Sequence, residues 1–216
     1  LYFLPIEARV PLKFGNQVVK HAFCARVQMT VTGKDGKTAT GWGETPLSVQ
    51  WVWPSSLPYE EREKVLLDLT KSIAAAWTDF SESGHPMELG HAFIETKLRR
   101  LWESANENRA HEDAIPWLAA LVCDSAFDLA LHDAYGVLHG VPTYKTYNAE
   151  FMNQDLAAYL EPAVGSDVSF AGKYPEDFLV NPQQKLFAWH LVGGLDPVSS
   201  EELTGNEPDD GYPVLL

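Results

Sequence analysis

The stretch Asp124-Ser125-Ala126-Phe127-Asp128-Leu129-Ala130-Leu131-His132-Asp133, "DSAFDLALHD", decides how the rest of the chain is read. Ala and Leu are strong helix formers, so the stretch reads as helical, yet it carries several acidic groups and a histidine. Advancing about 100° per residue puts Asp124, Asp128, His132, Tyr135 and His139 within one narrow arc. That arc reads as a solvated or rim-facing polar stripe. Asp128 and His132 form an i, i+4 pair of metal-binding type, but no third ligand is evident nearby, so no metal site is assigned. Asp133 falls on the opposite side, with Val122, Ala126, Leu129, Ala130 and Val137. A carboxylate among such residues must be hydrogen-bonded, because burying it alone is costly. Asp133 therefore reads as a structural anchor that accepts from backbone N–H groups or pairs with a cation.

Upstream of this helix the periodicity changes. In residues 1–12, Tyr2, Leu4, Ile6, Ala8, Val10 and Leu12 point one way, and residues 22–32 alternate as well. "GKDGK" (33–37) is a hairpin signal with an Asp-Gly turn, and "KTATGWGET" (37–45) completes a third strand. The pattern predicts a three-stranded antiparallel meander with one face that needs covering. Helices follow over 58–140. Pro58 suits a first turn, and Leu66, Leu69, Ile73, Trp77 and Phe80 recur at helical spacing. Pro86 opens a second helix and Asp113 caps a third, which ends at Gly136 or Gly140. Strands followed by helices make an α+β arrangement. Beyond Pro142 the pattern weakens: "DLAAYL" (155–160) reads as a short helix, 161–183 as loop, "KLFAWHLVGG" (185–194) as a buried strand, and "DPVSSEEL" (196–203) as a helix start.

Composition bounds the function. The 216 residues carry a formal net charge of -14, which argues against nucleic acid as a partner. No signal-peptide pattern and no uninterrupted apolar run of membrane-spanning length is seen, so no membrane partner is expected. Cys24 and Cys123 sit among apolar neighbours and read as reduced core residues of a cytoplasmic protein. No nucleophile elbow, phosphate loop or zinc spacing is present. The chain starts inside a strand-like run without Met and stops on "YPVLL", which reads as a piece of a longer protein.

"SAFDLALHDAYGVLHGVP" (125–142) resembles the Ala-rich helix, with Trp-Asp near its end and a following Gly-x-Pro, of the mandelate racemase/muconate lactonizing group of the enolase superfamily. Here His132 stands where Trp is usual, and Asp133 matches the Asp. "GWGET" (41–45) is similar to the Gly-x-Gly-Glu that ends the third strand of that family's capping domain. After Pro142, "TYKTYNAEF" replaces the family's Leu-Leu-Gly. The resemblance implies a capping domain over residues 1–142, a linker and short helix over 143–183, and over 184–216 the first elements of a truncated (β/α) barrel. A complete barrel takes about 250 residues. The family removes the proton α to a carboxylate with Mg²⁺ stabilising the enediolate. Its base lysines and acidic metal ligands lie on later barrel strands, so the resemblance implies no catalytic residue and no cofactor in this chain, with Mg²⁺ and a small-molecule carboxylate belonging to the parent enzyme, a possible homo-oligomer.

In that family two capping-domain loops close over the barrel mouth. "KFGNQVVKH" (13–21) and "PLSVQWVWPSS" (46–56) match their places, which makes Phe14, Asn16, Lys20, Trp51 and Trp53 substrate-capping candidates and His190 a barrel-mouth candidate. Trp51 and Trp53 are two apart and would point the same way in an extended chain. Packing of the loop against the first helix competes with this reading. A non-enzymatic α+β binding or assembly module is the alternative.

Overall fold

The computed structural model describes residues 1–15, 17–189 and 192–215, with Phe14 in its backbone only. Strands β1 (Tyr2–Phe14), β2 (Gln17–Thr32) and β3 (Thr38–Pro46) form an antiparallel sheet in the order β1-β2-β3. The second hairpin turns where the sequence places it: Gly33 N–H donates to Lys37 O, and Gly36 adopts φ +82°, which glycine tolerates. Five α-helices follow among the described residues: α1 (Val49–Val52), α2 (Tyr59–Thr78), α3 (Pro86–Phe93), α4 (Arg99–Asn106) and α5 (Trp117–His139). A π turn, Ile94–Leu98, joins α3 to α4.

Alternation sorts the sheet faces. Ala25 and Val27 turn inward and are buried, whereas the Arg26–Glu44 pair and the Thr30–Thr40 hydroxyl pair lie outside. The inner face is covered by α5, which runs against β3 and β2. The approach is close because Gly41 and Gly43 meet Ala126, Ala130 and Ala134. A Cβ at Gly41 would stand 2.5 Å from Ala130 O and 2.7 Å from Ala134 Cα; one at Gly43 would stand 2.6 Å from Ala130 N. On the other side of α5 the expected stripe of α2 is buried through Leu66, Leu69 and Ile73, with Phe93, Leu98 and Phe127 completing the core.

Several boundaries differ from the sequence reading. Pro58 is the cap of α2, not part of its first turn. Asp113 ends a short 3-10 turn, His111–Asp113, and α5 starts after Pro116. The helix ends at Gly140 with φ +67°. Residues 155–160 hold a 3-10 turn, Leu156–Ala158, and a second such turn, Ser200–Glu202, occupies the expected helix start. Lys185–Trp189 forms neither a strand nor a buried segment: it is irregular, and Phe187 is 96% exposed. By length and composition His111–His139 could cross a membrane, but half of its most apolar stretch is packed inside the fold, as in a core helix.

The glycine contact yields a direct test. Gly43→Ala places a methyl group into the α5 backbone and is expected to cost about 1–3 kcal/mol or more, read from urea midpoints. A loss below about 0.5 kcal/mol would show that sheet and helix are not in this contact.

Candidate functional site

The site expected from the sequence is the end of the sheet where β1 turns into β2 and β3 runs out. The last β2–β3 pair is Cys24 with Pro46, whereas β1 and β2 continue pairing to Phe14 and Gln17. Residues 17–23 therefore form a two-stranded arm that overhangs the sheet. The expected loop 13–21 is mostly strand: only Gly15, with φ +52°, is described at the tip. The register of β1 shifts between Glu7 and Leu12, opposite an exposed Lys20. Asn16, His190 and the side chain of Phe14 lie outside the described residues.

Among the described residues, contacts at three places tether the arm. At its base the Tyr59 hydroxyl lies 3.3 Å from His21 O and 2.8 Å from Glu63 Oε1, and the His21 and Tyr59 rings meet edge to face at 5.1 Å. Along β1, Gly194 N–H donates to Lys13 O, and Arg9 donates to Asp210 through both Nε (2.6 Å) and Nη2 (2.7 Å). The Arg9 guanidinium holds the Asp210 carboxyl down at about 2.

The second expected loop is not extended. Val49–Val52 makes one helical turn, so Trp51 and Trp53 diverge: Trp51 is 58% exposed and Trp53 only 1%. Trp53 is thus a core residue, not a capping contact. Its carbonyl accepts from Arg62 Nη1, and Arg109 lies 5.3 Å over its ring. Leu47, Val49 and Val52 are buried beside it, so α1 is a fixed pedestal that presents Trp51 alone. Three buried polar atoms at this α1–α2 junction have no protein partner among the described residues: Gln50 Oε1, Trp53 Nε1 and Arg62 Nε. Such atoms are where ordered water belongs.

The faces of α5 match the expected arrangement only in part: Ala126 and Ala130 are buried against β3, but most of the rest of that side is open. Asp133 is exposed, between Leu129 and Val137, which are exposed too. Its carboxylate nevertheless accepts the Trp42 N–H at 2.8 Å, closing one open donor on the sheet edge. The polar arc turns inward at Asp124 and opens toward its His139 end. Asp124 is 3% exposed and accepts from Trp77 Nε1 at 2.8 Å. Asp128 packs against Gly90 and lies 3.7 Å from His132 Nε2, while His132 Nδ1 meets the Tyr147 hydroxyl at 2.8 Å. The sequence could not show this, because Trp77 and Tyr147 lie on other elements. Burial pushes the Asp124 carboxyl up to about 7, with Trp77 opposing the rise. Loss of water likewise draws Asp128 up and His132 down, and each partly offsets the other.

An open groove of about 1240 Å³ lies beside the arc, floored by Met29, Phe127 and Leu131 and rimmed by Tyr135, His139 and Phe151. No group of three or more His, Cys, Asp or Glu placed to hold a metal ion occurs among the described residues. Compared with known proteins, the chain matches no family model, no curated protein and no solved structure.

Two measurements check this geometry. Trp53→Ala is expected to cost about 3–5 kcal/mol and Trp51→Ala no more than about 0.5 kcal/mol in urea melts; equal losses would contradict the pedestal. Asp124 tests the inward arc. Its pKa is raised on folding, so the stability it gives is present at pH 4 and is lost as pH rises through about 7. Asp124→Asn keeps an acceptor for Trp77 without the charge. Relative to wild type it should gain about 1–3 kcal/mol between pH 4 and pH 8, and a pH-independent difference would place Asp124 in solvent.

Proposed function

We propose that this chain is the substrate-capping portion of an enzyme resembling the mandelate racemase/muconate lactonizing group, and that the complete enzyme removes the proton α to a carboxylate. The observation that supports this reading is the shared end of the sheet. The β1–β2 arm overhangs it, and the connection after β3 folds back beside the arm: Leu47 N–H donates to Phe23 O, and Tyr59 reaches His21 O. Both connections that would close over a barrel mouth thus emerge together, one long and tethered at few points, the other rigid.

In this reading Lys13 and Lys20 supply positive charge toward a carboxylate, His21 a hydrogen-bonding ring, and Trp51 apolar cover. Trp53 drops out of the capping set; with Arg62 it positions α1. Mg²⁺, when bound by the complete enzyme, supplies the charge that stabilises an enediolate. The described residues do not form a set that fits it. The alternative, a non-enzymatic α+β binding or assembly module, draws on the apolar strip Leu118, Leu129 and Val137, exposed along α5.

The coding sequence after Leu216 separates the two readings. A Lys-x-Lys strand and three spaced acidic strand ends carry the enzyme reading; a stop codon carries the module. In the enzyme that includes such a barrel, Trp51→Ala should lower kcat/KM for a panel of carboxylates about tenfold, equivalent to about 1.4 kcal/mol of lost contact. The urea midpoint should stay unchanged. Unaltered kcat/KM across the panel would remove Trp51 from the cap.

A further inference from the structure

The other end of α5 carries a device that the capping reading does not use. After Gly140 the chain returns as a strap, residues 141–154, across α5 to the start of α3. Two residues of α3's capping box hold it there. His85 is the N-cap of α3, where its Nδ1 accepts the Met87 N–H at 3.2 Å. With Nδ1 accepting, the ring proton is on Nε2, which donates to Thr146 Oγ1 at 3.1 Å; Thr146 in turn donates to Thr143 O at 2.7 Å. Glu88, the other member of the box, accepts from His85 N–H (3.0 Å), Gln154 N–H (3.0 Å), Asn153 Nδ2 (2.7 Å) and Asn153 N–H.

We propose that His85 is an acid-operated latch: its protonation releases the strap from α3 and α5 and lifts Phe151 off the groove wall formed by Tyr135 and His139.

The geometry explains why. A proton on Nδ1 turns the cap acceptor into a donor, which then faces the Met87 N–H, another donor. The ring is 1% exposed, so no water can take the acceptor's place. The groups around it do little to neutralise a cation. From α5 it meets His132 at 6.2 Å and Tyr135 at 5.0 Å between ring centroids, with His139 nearby and Asp128 behind His132. From the strap it meets Tyr147 at 5.5 Å and Thr146. On its own element only Glu88 is anionic. Burial pushes that carboxyl up but is outweighed by its bonds to Asn153, His85 and Gln154, so Glu88 stays charged, its oxygens already committed to the strap. For His85, burial is the largest cause and His132 the second in holding the ring down at about 4. Once the strap opens, the ring is in water and its pKa returns toward about 6.5.

Sign and size follow from linkage. The folded pKa lies below the open one, so the closed state is favoured above about pH 6.5 and opening gains ground as pH falls toward 4. For a single proton, the opening constant should rise on the order of 20-fold between pH 7 and pH 5.

Hydrogen exchange of the whole chain, followed by mass spectrometry and corrected for intrinsic rates, measures that constant at the Asn153 and Gln154 amides. The expected result is the rise of about 20-fold there, with the α5 amides of Ala126 and Ala130 unchanged. His85→Asn keeps a cap acceptor at a position where Asn is favoured and has no titrating ring, so its strap should show less than about a threefold change over the same range. Thr146→Val removes the acceptor of the Nε2 proton and should raise opening at both pH values while keeping the slope. A flat wild-type curve overturns the latch, as does a slope that survives in His85→Asn. If His85→Asn does not fold, the wild-type curve and Thr146→Val still decide.

Discussion

The structure depends on the contact between two glycines of β3 and the backbone of α5. Gly41 and Gly43 face Ala126, Ala130 and Ala134, and any Cβ on either glycine would collide with helix backbone atoms. Such a contact is unforgiving in register: glycines two apart on a strand must meet alanines four apart on a helix. Asp133, next to Ala134, adds a directional element by accepting the Trp42 N–H from the residue between the two glycines. Together these fix where α5 lies on the sheet. They therefore also fix that its polar arc turns toward α2 and α3 and that the arm is left free beyond Pro46.

The packing around α5 buries ionisable groups whose linkages oppose one another. Asp124 loses stability as pH rises toward 7, because burial makes its charged form costly. His85 loses stability as pH falls below about 6.5, because burial makes its charged form costly too. Between pH 4 and 7 the two effects run against each other, so a bulk melting curve understates both. The conflict is local: Asp124 answers to Trp77 on α2, whereas His85 answers to Thr146 on the strap. A change of pH thus moves stability between two parts of the molecule more than it changes the total.

Sequence period told which residues share a face and not which face is covered. The meander, the Asp-Gly turn and the α2 stripe were legible because each is local. Asp124, Asp128 and His132 were correctly grouped on one arc, but their burial depends on Trp77 and Tyr147, which no spacing rule connects to them. Asp133 was legible in its partner, a backbone N–H, and not in its exposure. The phase of Trp51 and Trp53 was lost because Val49–Val52 closes a single turn, too short to leave a periodic trace. His85 was invisible as a cap because the rule names Ser, Thr, Asp and Asn, and an imidazole Nδ1 supplies the same acceptor. Lys185–Trp189 has the composition of a buried strand, but no strand covers it here, and composition alone cannot supply a partner.

The two halves of the candidate cap differ in what holds them. Four apolar residues around α1 are buried: Leu47, Val49, Val52 and Trp53. Moving Trp51 would therefore mean unpacking core. The arm has no such foundation. Residues 17–23 add roughly 23 Å of two-stranded ribbon, and a lone two-stranded ribbon is marginal in water. Its tethers are Tyr59 at the base, the Gly194 N–H bond to Lys13 O, and the solvent-exposed Arg9–Asp210 pair, which salt screens. The shift of register between Glu7 and Leu12 further weakens the ladder midway along. Motion should concentrate in the arm beyond Glu7, because bending there breaks few bonds and exposes little apolar surface. The pedestal under Trp51 is thus fixed by the core and the ribbon is held by few bonds, so any closing movement in the proposed cap falls to the ribbon.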